Sequence, residues 1–517
     1  MSLRTLSDIK LPVGKSEDEL VKLATKKLGK KPAYFAIKKK SIDARNKEDV
    51  KFVYTIAFSS EPQTPDIQTV ETLALYKRPK LPVLVVGSGP AGLFCALRLL
   101  ERGITPVVVE RGAPVEEREK HITAFCQTKK LDTESNVQFG EGGAGTFSDG
   151  KLNTQTHSPL NRAVLETFVR FGAPKEILWL NKPHIGSDNL KKVVKNMREY
   201  ILERGGQVRF HTRLDDISVS NGALRSVTLY DQKTKSVSVE EFSALVLAIG
   251  HSARDTFEKL LSRGVVMRQK DFAVGVRIEH LQKDISFAQY GKSYPLLPAA
   301  DYKLVSHAND RAVFTFCMCP GGYVMPATSE EGGVVTNGMS NYKRNGVNAN
   351  SALIAQVSRA DFDSDSPLAG VEFQRRIERA AYETGGKNYA APVQLVGDFL
   401  KDKESSKFGE IFPTYGAGTA FSDLRKVLPV SVTNALKAGI LDMDRRMQGF
   451  ARADAVLTAA ETRTSSPVRI ERGEDMQSVS VQKLYPCGEG AGYAGGITSS
   501  AADGLRVADA IFACFMQ

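Results

Sequence analysis

Cysteine is sparse in this sequence and carries no metal or redox pattern. The 517 residues hold six, at Cys95, Cys126, Cys317, Cys319, Cys487 and Cys514. None forms a C-x-x-C pair and none has the paired spacing of a zinc site, so structural zinc and thioredoxin-like chemistry lack a ligand set. The opening "MSLRTLSDIK" has neither the apolar core nor the small-residue cleavage site of a secretory signal. Reduced thiols in a cytoplasmic setting are therefore expected. Cys317 and Cys319, in "CMC", read as two ordinary buried thiols on one strand face, because residues i and i+2 of a strand point the same way. Long apolar runs are missing too. The most apolar stretch, residues 81–100, carries three glycines and Pro90, which suits a buried strand–turn–helix and not a membrane span. There is no internal repeat, no low-complexity tract and no Ser-His-Asp arrangement.

What is present is an ordinary globular balance, 42% hydrophobic and 25% charged, in a chain long enough for two to four domains. The net charge is +11, and seven of those eleven charges fall within residues 1–80. Such a field attracts anions. No aromatic run is interleaved with the basic residues, so cofactor phosphates and a solvated surface explain the charge better than nucleic acid does.

Residues 16–30 read as a helix, with Ser16 and Glu19 as a capping box. "AYFAIKKKSIDAR" and "DVKFVYTIAF" read as strands. Pro-rich, polar "SSEPQTPDIQ" and "KRPKLP" mark a boundary near residue 80. Beyond it come strand, Gly-rich turn, helix and strand over 81–112, and a Gly/Ser/Thr-rich loop over 136–157. The apolar strand "ALVLAIG" follows at 244–250, of a kind found inside parallel sheets. The strand–loop–helix of 484–515 returns to the style of the first unit. The expected fold is α/β. A discontinuous Rossmann-like nucleotide domain (81–265 and 443–517) carries an inserted α+β substrate or cap domain (266–442), behind a small basic α+β domain (1–80).

The central motif is Gly87-x-Gly89-x-x-Gly92, after the strand Val83–Val86. Gly87 permits the tight turn, Gly89 the approach of a pyrophosphate, and Gly92 close helix–strand packing. Pro90 suits a first helical turn, whose N–H groups and dipole favour phosphate. Glu110 ends the next strand, in the window where an acid takes ribose hydroxyls and disfavours a 2′-phosphate. NAD and FAD both fit so far. Two further segments rich in glycine and small hydroxyls, "FGEGGAGTFSDGKLNTQ" (139–155) and "CGEGAGYAGGITSS" (487–500), favour the longer FAD. Glu489 is placed to accept from ribityl hydroxyls, and the helix starting near residues 496–499 to face the flavin N1–C2=O edge.

Taken together, "VGSGPAGLFCALRLLERG", "NVQFGEGGAGTFSDGKLNT", "FAVGVRIEH", the block from 315 to 353, "ETRTSSPVRI" and "LYPCGEGAGYAGGITSSAADG" resemble a family of FAD-dependent dehydrogenases of bacterial and plastid type. These are NAD(P)/FAD-dependent oxidoreductases with a glutathione-reductase-like FAD domain. The leading domain resembles theirs less sharply. The resemblance implies non-covalent FAD held by Gly87, Gly89, Pro90, Ala91, Gly92, Glu110 and Arg111. It adds Gly142, Gly143, Thr146, Phe147, Ser148, Gly150 and Lys151 from the second loop, with Leu214 and Gly250. Gly488, Glu489, Gly490, Gly496, Ile497 and Thr498 complete the set. It names no substrate. No second G-x-G-x-x-G exists, so a dedicated NAD(P)H domain is absent, and NAD(P)H remains open only as a transient electron donor.

Flavin chemistry asks little of the protein beyond orientation and electrostatics. Lys151, Arg277 and Tyr493 are the catalytic candidates: a loop cation, a strand cation facing either Glu279 or a substrate carboxylate, and a phenol in the flavin loop. Glu461 and Arg463 read as a structural ion pair, and His157 beside the second loop is not expected to bond FAD covalently. The expected activity is hydride transfer at flavin N5 to or from a small molecule, whose being anionic stays open. The alternatives are a flavin monooxygenase and an RNA-associated flavoprotein that docks through the basic leading domain.

Overall fold

The structure, a computed structural model, describes residues 3–63 and 79–516. The boundary expected near residue 80 falls largely in 64–78, outside the described residues. The leading domain is a strand Arg4–Pro12, a helix Asp18–Leu28 and strands Tyr34–Asp43 and Lys51–Ser59, with the last in the middle of an antiparallel sheet. Alternation along that central strand turns Tyr54, Ile56 and Phe58 toward Leu20 and Ala24 of the helix. The first strand had no counterpart in the sequence reading. The capping box does not form, because the helix begins at Asp18 and Glu19 comes one position too early. Ser16 Oγ instead accepts from the Asp18 N–H at 3.2 Å. Among the described residues a backbone bridge joins the domain to the body, Lys40 N–H to the Trp179 carbonyl (2.8 Å) and Asn181 N–H to the Lys40 carbonyl (2.9 Å).

The body begins with five parallel strands in the order Leu484–Pro486, Ala244–Leu247, Val83–Val86, Pro106–Val109, Gln207–Arg209. The four-residue strands are buried throughout, as strands covered on both faces must be. The helices Pro90–Glu101 and Ile497–Met516 pack together, closely enough that a Cβ on Gly504 would lie 2.1 Å from the Ala91 carbonyl. Chain segments some 400 residues apart therefore build one sheet and one helical layer. A three-stranded antiparallel sheet spans residues 212–240.

The second layer is a seven-stranded sheet in the order Val305–Ser306, Val313–Cys319, Asn348–Val357, Phe272–Leu281, Val456–Glu461, Ala391–Leu395, Thr419–Phe421. Val456–Glu461, expected in the returning nucleotide segment that starts at 443, lies inside this sheet and pairs with Phe272–Leu281 and Ala391–Leu395. The chain returns only afterwards, through Val468–Ile470 against Met267–Gln269. Among the described residues no helix is long and apolar enough to cross a membrane.

Candidate functional site

The carboxyl ends of the parallel strands face the seven-stranded sheet across one cavity. All three Gly-rich segments reach it: Gly87, Gly89, Pro90 and Ala91 from the first, residues 143–145 and 148–151 from the second, and Glu489 with residues 495–497 from the third. The open crevice beyond the strand ends is where this architecture places ligands. Gly87 sits at φ 102°, and a Cβ there would lie 2.3 Å from the Ala248 carbonyl. A Cβ on Gly92 would lie 1.9 Å from the Gly87 carbonyl, so only glycine lets the helix start this close to the turn. Gly250, Gly495 and Gly496 also line the cavity, and a Cβ built on any of them meets no protein atom within 4 Å. Two bare stretches of backbone, at residue 250 and at residues 495–496, therefore face ligand space.

Two buried charges shape these loops. The Glu110 carboxylate takes the Ser88 N–H (3.0 Å) and Oγ–H (2.9 Å) on one oxygen, and the Gly112 and Gly140 N–H groups (both 3.0 Å) on the other. It borders the cavity, yet its acceptor sites are filled by protein, so it clamps the first loop to the second. Arg118, wholly buried, donates to the carbonyls of Asn136, Val137, Gly140, Glu141 and Gly143 and so sets the course of the second loop. Burial pulls its pKa down to about 10 against the opposing pull of Glu110 and Glu141. Nothing in the "VEEREK" helix had marked it. Arg111 also borders the cavity, held by Glu134 (2.7 Å) and by Asp255 (2.9 Å) over the Phe139 ring.

Of the remaining expected cofactor residues, Gly143, Ser148, Gly150, Lys151, Leu214, Gly250, Glu489, Gly496 and Ile497 line the cavity. Gly92, Gly142, Thr146, Phe147, Gly488, Gly490 and Thr498 stand behind the wall. There they shape the loops: the Gly142 N–H binds the Ser88 carbonyl (2.9 Å), the Gly488 N–H binds Asp503 (2.8 Å), and Thr498 Oγ binds the Leu152 carbonyl (2.8 Å).

Two of the three catalytic candidates lie off the cavity. Tyr493 spends its hydroxyl on the Ile470 carbonyl and the Arg472 N–H (both 3.1 Å), with the Arg472 guanidinium 3.7 Å from its ring centre. Arg277 is fully buried, and all five of its N–H groups have acceptors. Glu461 takes two (3.0 Å each), and Asn350, Asn337 and the Cys317 carbonyl take the rest. Neither Glu279 nor a substrate is its partner, because Glu279 is bound by Thr414 and Asn348. Glu461 and Arg463 do not pair with each other either: Arg463 goes to Glu378.

Lys151 does face the cavity. Its ammonium pairs with Asp149 at 2.9 Å and donates to the Met318 carbonyl, which leaves one of three donors uncommitted. Burial pushes the Asp149 pKa up, but Lys151 and Arg344 pull it further down, below the ordinary carboxylate range. The expectation of two buried thiols on one strand face fails at Cys317. A bulge between Phe316 and Cys319 puts Cys317 at φ 43° and leaves it exposed, while Cys319 stays buried; both border the cavity. Desolvation raises the Cys317 thiol to about 12, so it is no ready nucleophile. The Glu489 carboxyl has no protein hydrogen bond among the described residues, and burial lifts its pKa to about 7 against the attraction of Lys270. His251, Asn337 and Arg463 line the same cavity and were not expected there. Burial lowers the His251 pKa to about 3, so it is a neutral imidazole.

Residues 80–126 match a family described as an FAD binding domain, and residues 271–464 one described as FAD-dependent protein, C-terminal domain-like. Residues 4–59 match a domain of unknown function. A protein of Clostridium beijerinckii, described as an uncharacterized protein, is 47% identical over 495 residues, covering 92% of each chain. Among solved structures, the flavin-dependent brominase Bmp2 aligns with a TM-score of 0.40 and 11% identity, over 84% of this chain and 79% of that one. CtdE in complex with FAD aligns with a TM-score of 0.33 and 11% identity, over 84% and 88%. FAD is the cofactor, and the bare cradle of Gly87, Gly89, Gly250, Gly495 and Gly496 has the chemistry to hold it.

Proposed function

Because the chain belongs to the FAD-dependent oxidoreductases, sharing a family with its Clostridium relative, we propose that it is a dehydrogenase or reductase that moves hydride to or from a small molecule in the cavity. The observation that carries the reading is the convergence of three segments, near residues 87, 145 and 490, on one space. Bound FAD supplies a two-electron centre that takes or gives hydride at N5. The protein's part is to hold and orient. The N-terminus of Pro90–Glu101 offers N–H groups and a positive dipole to the pyrophosphate. Glu489 offers an acceptor to polyol hydroxyls. Lys151, fixed by Asp149 and the Met318 carbonyl, directs its remaining N–H at a substrate oxygen. No second phosphate fingerprint is present, so NAD(P)H would act as a visiting electron donor in the same cavity.

The test is reduction of the purified protein. It should carry about one FAD per chain and bleach anaerobically with NADH, NADPH or a component of a metabolite pool. A colourless protein that fails to take up added FAD would end the proposal. Oxygen consumption with a hydroxylated product would replace it by the monooxygenase reading.

A further inference from the structure

Arg463 lies in the cavity wall with its side chain 3% exposed. It shares one carboxylate with a second buried guanidinium. Arg463 donates to Glu378 through Nε (3.2 Å) and Nη2 (3.0 Å), and to Ser329 Oγ. Arg254, 1% exposed, grips the same Glu378 through Nη2 (2.7 Å) and Nη1 (2.9 Å). Thr462 Oγ adds a fifth donor to that carboxylate at 2.7 Å. Two buried guanidiniums thus share Glu378, and Glu330 adds a second carboxylate on the Arg254 side only.

Glu330 answers Arg254 with a direct ion pair and also meets Arg375, which has Glu258 and Glu372 besides. It stays 3.9 Å from Arg463 Nη2, beyond hydrogen-bond reach, so Glu378 is the one carboxylate that hydrogen-bonds Arg463 among the described residues. The acids nearest on the cavity side are spent, Glu461 on Arg277 and Asp149 on Lys151 and Arg344. A buried polar group without a partner is costly unless something answers it. Burial, followed by Arg254, depresses the Arg463 pKa, while Glu378 and Glu330 pull it back up. Two of its five N–H groups, one each on Nη1 and Nη2, have no protein acceptor among the described residues, and the residue borders the cavity.

We propose that Arg463 is an oxyanion subsite of the cavity, and that the substrate carries a carboxylate or phosphate group that this guanidinium takes. Glu378 is its positioning residue, holding the planar fork against Arg254 so that one edge faces inward. This rests on the flavin-oxidoreductase reading and adds the substrate class to it.

The experiment uses flavin-loaded protein at constant ionic strength, titrated with benzoate, oxalate and inorganic phosphate while the flavin absorbance is followed. At least one anion should give a saturable difference spectrum, and which one answers separates carboxylate from phosphate. Its dissociation constant should rise at least tenfold in Arg463→Gln and stay within about threefold in Arg463→Lys, which keeps the charge. Glu378→Gln should weaken binding while both guanidiniums remain. Flavin content, read separately from the visible-to-ultraviolet absorbance ratio, keeps the two levels apart. A protein without FAD would sink the reading underneath. A flavin-loaded protein that shows no saturable response, or responds equally in Arg463→Gln, overturns the subsite. Loss of FAD on Arg463→Gln overturns it as well, because the guanidinium would then be holding the nucleotide.

Discussion

Replacing Arg118 with methionine should cost the protein its FAD. The side chain is fully buried and makes five bonds to backbone carbonyls between residues 136 and 143, at 2.7 to 3.3 Å. The loop is moulded around it: Gly140 stands at φ 121°, and a Cβ there would lie 2.5 Å from Arg118 Cδ. A hydrogen bond from a charged donor contributes roughly 1.5–3 kcal/mol net, and such bonds do not add fully. Counting about two of the five as effective, the loss is roughly 4 kcal/mol. Gly143, the end of this span, borders the cavity beside Gly89. A released loop must be re-ordered whenever the nucleotide binds, so the loss appears in affinity as a factor of roughly 10³. Arg118→Lys keeps three donors and should recover part of it. Flavin fluorescence quenching on titration of the apoprotein measures the affinity, and thermal unfolding of the same samples reports the loop's share of the fold. An Arg118→Met protein that binds FAD within threefold of the wild type, with an unchanged midpoint, would refute the assignment.

Gly92→Ala should fail to bind FAD, since the new Cβ would lie 1.9 Å from the Gly87 carbonyl; flavin content after reconstitution checks this. Glu489 gives a pH dependence. Burial raises its pKa from 4.5 to about 7, so the folded apoprotein binds a proton that the unfolded chain has released. That contribution to stability is full below about pH 4.5 and is lost as pH rises through 7, up to about 3 kcal/mol. Glu489→Gln should flatten this slope in denaturant titrations, and FAD, by donating hydroxyls to the ionised form, should shrink it in the wild type. Equal slopes in all three would show that Glu489 does not face the ligand. Tyr493→Phe should cost only about 1 kcal/mol in thermal unfolding and leave FAD affinity within twofold, because the hydroxyl serves Ile470 and Arg472; a larger loss of FAD would return Tyr493 to the site.

The nucleotide half was legible because its requirements are local. A turn that tolerates only Gly87, a helix that starts only if Gly92 has no side chain, and bare backbone at residues 495 and 496 all show as glycine spacing. Even there, the reading of Glu110 was incomplete. The acid stands in the expected place, but whether its oxygens face a ribose or four protein donors depends on Gly140, thirty residues on. The end of the inserted sheet was misjudged for a similar reason. "VLTAAE" is buried throughout, as the four-residue strands of the parallel sheet are, and only its pairing with Phe272–Leu281 and Ala391–Leu395 assigns it to the other layer.

The far wall of the cavity was hidden for a stronger physical reason. A buried arginine has the same codeword whether it is solvated, paired or aimed at a ligand, and its partner decides which. Arg277 finds Glu461 at a separation of 184 residues, and Arg463 finds Glu378 at 85. Pairing by proximity along the chain instead joined Glu461 to Arg463, two residues apart on a strand and its exit, which would have left each neutralised and neither of interest. The true partners leave Arg277 saturated and silent, while Arg463 shares its acid with Arg254. The proposal of a charged ligand rests on that difference, set by long-range packing: Arg277 has no N–H to spare, whereas Arg463 keeps two without a protein acceptor among the described residues.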